Sequence, residues 1–113
     1  MEARLPAHLE ASALIRRVQS AGGFATVLRK GEPEAGSILL VLCENGTKSR
    51  TYERMPDLEG ARKWHLSKTE DPENKQEFNQ YITRRQTQDA DLWIVELDIA
   101  QAERFIELAA TPS

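Results

Sequence analysis

The sequence predicts an α+β domain: a mostly antiparallel sheet of about five strands with helices packed on one face, in the order α-β-β-β-β-α-β-α. Three observations carry this reading. The consecutive aliphatic residues Ile38 to Leu42 cannot alternate apolar with polar, so they form a strand buried on both faces, at the centre of a sheet. Asn45-Gly46 follows, a pair that accepts the two positive φ values of a type I′ turn, and Lys48 to Arg54 returns as a polar, β-capable run. Apolar positions at helical spacing lie on either side of this hairpin, after Ser12 and again after Asp71.

Taken in order, Met1 to Glu10 sends mixed signals, because Pro6 disfavours helix at Leu5. Ser12 is the expected N-cap of the first helix, Leu14, Ile15, Val18 and Ala21 its apolar stripe, and Gly22 its left-handed terminator. Phe24 to Arg29 is aromatic and β-branched enough for a strand. The loop Lys30 to Gly36, with its glycines and proline, is expected to join it to the central strand as a long-looped hairpin, with positive φ at Gly31, Gly36 or both. After a turn at Pro56-Asp57, Arg62 to Ser67 alternates, with Trp64 and Leu66 on one side. Asp71-Pro72-Glu73 is the expected start of a helix on which Phe78, Tyr81, Ile82 and Arg85 share a face. Leu92 to Leu97 is a second apolar strand, whose place in the sheet the sequence leaves open. Asp98 and Gln101 resemble a capping box for a last helix carrying Ile99, Ala102, Phe105, Ile106 and Ala109.

Composition bounds the function classes. The 113 residues suit one domain spanning 1–113, and the 40% hydrophobic and 29% charged fractions are those of a soluble globular chain. A net charge of −3 argues against bulk attraction to nucleic acid or an anionic membrane. No apolar run approaches the roughly 20 residues needed to cross a bilayer. The lone Cys43 has no intramolecular disulfide partner and the chain carries no signal peptide, so a cytoplasmic setting is expected.

Two stretches resemble signatures of a small bacterial domain-of-unknown-function family. Arg29-Lys30-Gly31-Glu32-Pro33-Glu34-Ala35-Gly36 is similar to Arg-Arg-Gly-Asp-x-Asp-Ala-Gly. Tyr81-Ile82-Thr83-Arg84-Arg85 with Asp89-Ala90-Asp91-Leu92-Trp93-Ile94-Val95-Glu96 resembles Tyr-Ile-x-Arg and Asp-Pro-Asp-Leu-Trp-Val-Val-Glu, and Ser12 to Arg17 is similar to the family's first helix. Glu32 and Glu34 replace the usual aspartates, and Ala90 stands where proline is common. The resemblance implies a bacterial, cytoplasmic protein; the family carries no activity to transfer.

The residues themselves supply little chemistry. Cys43 closes an aliphatic strand and reads as a small core residue; His8 and His65 are far apart in sequence, and no cluster has the spacing of a zinc site. Glu32, Glu34, Asp89, Asp91 and Glu96 could supply oxygen ligands for magnesium, but solvated loop charges and turn hydrogen bonds account for them better. Lys30 to Gly36 lacks the ending of a phosphate-binding loop, so neither metal, cofactor nor catalytic residue is expected. What stands out is a basic and aromatic row, Lys48, Arg50, Tyr52 and Arg54, at period two on one strand face. Such a row is the expected site for an anion or a partner, although a solvated strand face looks the same. The expectation is a non-catalytic protein-interaction module whose partner is an unknown protein, a homodimer included. The alternative is an RNA- or nucleotide-binding module using the basic row, which the acidic net charge disfavours; an enzyme with an acid pair at Asp91 and Glu96 ranks third.

Overall fold

The structure, a computed structural model, describes residues 5–56 and 62–109. In chain order the elements are α1 (Ala7–Ser20), β1 (Phe24–Arg29), β2 (Ile38–Glu44), β3 (Thr47–Pro56), β4 (Arg62–Thr69), α2 (Lys75–Gln88) and β5 (Trp93–Asp98), followed by a 3₁₀ turn, Ala102–Phe105. The strands form one sheet in the order β1-β5-β2-β3-β4, antiparallel throughout except where β5 runs parallel to β2. The α+β class and the five-stranded, mostly antiparallel sheet are as the sequence predicts.

The helices differ from expectation: they cover both faces, not one. Ile38, Leu40 and Leu42 point to the side of α1, joining Leu14, Val18, Trp93, Val95 and Leu97. Leu39 and Val41 point the other way, to Phe78 and Ile82 of α2 with Leu92 and Ile94. The reason lies in β2 itself. A strand whose residues Ile38 to Cys43 are all apolar would leave one side wet under a single helical layer.

The expected hairpin of β1 and β2 does not form, because β5 lies between them. The tight turn does form: Asn45 has φ 52 and Gly46 φ 73, and Glu44 pairs with Thr47 across it. Gly22 ends α1 as expected, at φ 91, with the Gly22 and Gly23 amides donating to the carbonyls of Gln19 and Val18.

Three helix boundaries are corrected. α1 starts at Ala7 behind Pro6, and Ser12 is interior, its hydroxyl donating to the His8 carbonyl. The first amides of α1 are satisfied from afar, Ala7 by the Glu34 carbonyl and His8 by that of Pro33. α2 starts at Lys75 with Asn74 as its cap, since the Asp71 carboxylate is already occupied by the Glu73 amide. The last helix is only the 3₁₀ turn, preceded by Gln101 at φ 54. Asp98, the expected cap, instead accepts from the Asn45 and Gly46 amides. Ala102, Phe105 and Ile106 still reach the core beside α1. The turn expected at Pro56-Asp57 falls at the edge of the described residues, Pro56 itself being the last residue of β3.

Candidate partner-binding surface

Arg50, Tyr52 and Arg54 share a face, as their spacing requires, but that face looks inward to α1 rather than outward to solvent. Arg50 Nε and Nη2 donate to the two Glu103 oxygens at 2.8 and 2.6 Å, and the Tyr52 hydroxyl donates to the same carboxylate at 3.0 Å. Arg54 makes a two-pronged pair with Glu10 of α1 and lies 4.8 Å from the centroid of the Trp64 ring. The Arg50 hydrogen bonds hold Glu103 down at about 2, while burial, then the Glu103 contact, pushes Tyr52 up to about 12. Lys48 stands apart. It sits at φ 56 where the β2–β3 register shifts, and its exposed ammonium is 3.8 Å from Glu44. With Arg50, Thr69, Glu70 and Lys75 it borders a groove of about 720 Å³, in which Glu44 and Glu70 stand among the cations.

The opposite face of β3 is tied down in the same way. Glu53 receives Arg85 and the Tyr81 hydroxyl, the two polar members of the α2 face predicted from spacing. Sequence reading missed these pairings because Glu10, Glu53 and Glu103 carry no local motif.

The remaining candidates are separated. Cys43 is buried, its thiol pushed up to about 12 by burial and then by Glu96 and Asp98. His8 lies 3.8 Å from Glu34, whereas His65 is on β4, partly buried opposite Glu53, its Nε2 without a hydrogen-bond partner among the described residues. Glu32 caps its own loop, accepting from the Glu34 and Ala35 amides, and Asp89 accepts from the Asp91 amide. Asp91 and Glu96 lie five residues apart along the chain, and Glu96, raised by burial and then by Asp98, sits opposite Thr26. Among the described residues no group of His, Cys, Asp and Glu has metal-binding geometry, and no helix is long and apolar enough to cross a membrane.

The loop Lys30 to Gly36 and the turn before β5 lock together. Glu32 donates its amide to the Asp91 carbonyl, and Trp93 Nε1 donates to the Glu32 carbonyl at 2.7 Å. Neither Gly31 nor Gly36 has a positive φ. Their role is space: a Cβ on Gly31 would lie 2.0 Å from the Asp91 oxygen, and one on Gly36 2.5 Å from it.

Among the described residues, the two edges of the sheet contrast. β4 is guarded by Arg62, Lys63 and Lys68, and residues 107–109 run beside it, with the Trp64 amide donating to Glu107 and its carbonyl accepting from Ala109. On β1 no described strand pairs with the outer edge, and Phe24 to Leu28 carries no charge. Arg29, its one charged residue, folds back to the carbonyls of Gln86 and Asp89 at the end of α2. Phe24 is 75% exposed and Leu28 49%.

A small α+β domain, in which no described strand pairs with the outer edge of β1, is the class of protein defined by these features. The chain belongs to the DUF1491 family, proteins of unknown function, whose model matches residues 5–107. Among solved structures it is similar to the crystal structure of a DUF1491 family protein from Caulobacter crescentus CB15, with 27% identity and a TM-score of 0.81 over 95% of this chain and 100% of that one. It is also similar to the solution structure of protein Atu0922 from A. tumefaciens, with 28% identity and a TM-score of 0.77 over 98% and 99% of the two chains. No curated protein matches.

Proposed function

We propose that the protein is a non-catalytic interaction module that binds another protein through the β1 edge of its sheet. The observation that carries this reading is the contrast between the edges. Sheets in free proteins guard their edges with charge, proline or a covering segment, and among the described residues β4 follows that rule while β1 does not. An open strand with apolar side chains can accept an extended segment of a partner by main-chain pairing. The chemistry available for catalysis points the same way: the thiol of Cys43 is buried and held protonated, and the histidines lie on separate elements. Against an RNA-binding face stands the internal pairing of Arg50 with Glu103 and Arg54 with Glu10.

The test is affinity capture from native extract with the full chain and with Phe24→Lys. A charge on the exposed Phe24 leaves the core untouched, so the variant is expected to keep its melting temperature and lose the captured protein. Equal capture by both chains rejects β1 as the binding edge.

A further inference from the structure

We infer that the β1 edge takes a second copy of this chain, the two β1 strands pairing antiparallel about a two-fold axis at Thr26. This rests on the reading of β1 as a binding edge and names its partner. The argument is self-complementarity. A two-fold contact must match a surface to itself, each residue meeting its counterpart twice. Strands that pair across such an axis keep their faces, so residues of the same parity oppose one another. Centred on Thr26, Phe24 of each copy faces Leu28 of the other, and Ala25 faces Val27. Aromatic-on-aliphatic and aliphatic pairs are the favourable cross-strand combinations, and no like charges meet.

The shape agrees with the pairing. Phe24 lies on the α2 side, opposite Asp98, and projects as the most exposed large apolar side chain among the described residues. Leu28, at the irregularity between Val27 and Arg29 where the β5 ladder shifts, is exposed on that same side. Phe24 and Leu28, near the two ends of β1, are therefore both exposed on one side of the sheet, Phe24 75% and Leu28 49%. Under the two-fold each Phe24 ring lies against the partner's Leu28, and Arg29, already turned to the end of α2, stays clear. A six-residue strand covers less than the roughly 800 Å² per partner of a standard interface, so the dimer is weak and its population follows concentration.

Sedimentation velocity of the full chain over a concentration series, with Phe24→Lys and Thr26→Cys beside it, tests this. The parent is expected to pass from monomer to dimer as concentration rises. Phe24→Lys is expected to dissociate roughly thirtyfold more easily, the loss of one interface anchor, with an unchanged circular dichroism melt. Directly opposed strand residues are close enough for a disulfide. Thr26→Cys should therefore give a covalent dimer on mild oxidation, while the exposed helix control Gln80→Cys should not. Cys43, 1% exposed, does not compete. A parent that stays monomeric at every concentration overturns the inference, as does a dimer that survives Phe24→Lys or one that Thr26→Cys cannot cross-link. A monomeric parent that still captures a different protein through Phe24 rejects the second copy while leaving the binding edge standing; a monomer with β1-independent capture rejects both.

Discussion

At Gly31 a single methyl group would collide with backbone, not with a side chain able to swing aside. The nearest atoms to its Cβ are the Asp91 carbonyl oxygen at 2.0 Å and the Asp91 carbon at 2.7 Å. Gly31→Ala must push the loop off the start of β5, straining the bond from the Glu32 amide to Asp91. The expected cost is about 1–3 kcal/mol, toward the upper end, read as a lower denaturant midpoint at unchanged slope; an unchanged midpoint rules the contact out. Gly22→Ala is a different test, since nothing lies within 4 Å there and only φ 91 opposes the substitution. A second prediction concerns pH. Glu103, held at about 2 against an ordinary 4.5, favours the folded state fully above pH 4.5, a contribution lost as pH falls toward 2. Tyr52, raised to about 12 from 10, favours folding fully below pH 10 and loses that contribution as pH rises toward 12. Both limbs should flatten in Glu103→Gln, whose pH–stability profile against the parent's is the measurement.

At the scale of elements, β3 is the strand through which the layers are fastened. Glu10 of α1, Glu103 of the 3₁₀ turn and Arg85 of α2 all reach it. Period-two spacing suggests that its arginines serve a partner or face solvent, and an exposed arginine can be removed at little cost. Placed as they are, with Arg50 13% and Arg54 17% exposed, each removal strands a half-buried carboxylate. Arg50→Ala and Arg54→Ala should each cost about 1–2 kcal/mol, between the values for exposed and fully buried pairs. Thermal melts of the single variants check this, and losses within error would return the ridge to solvent. The face of α2 was legible because Phe78, Tyr81, Ile82 and Arg85 repeat at helical spacing. The early start of α1 was not, since the groups that satisfy it belong to Pro33 and Glu34. The last helix was misread for a related reason: Asp98 can cap a helix only if nothing else claims it, and the hairpin turn does.

For the molecule as a whole, the apolar runs Ile38 to Leu42 and Leu92 to Leu97 revealed the two interior strands, but nothing local in either run announces that they lie side by side. Strand order is decided by which faces must be buried together, a property of pairs of elements rather than of one. The binding edge was hidden for that reason: Phe24 to Leu28 reads as an ordinary strand until β5 is placed on its inner side. Amides of β2 and β5 are expected to exchange with deuterium only through global unfolding, and those of β1 through smaller openings. Equal protection of β1 and β2 in dilute protein would contradict this. The parallel pairing of β5 with β2 also orders events in time. During synthesis β1 leaves the ribosome long before the strand that joins it to β2. Until residue 98 emerges the sheet lacks the strand between β1 and β2, and those two apolar strands wait with unsatisfied main-chain groups. A fragment ending at residue 91 should accordingly remain unfolded and aggregate.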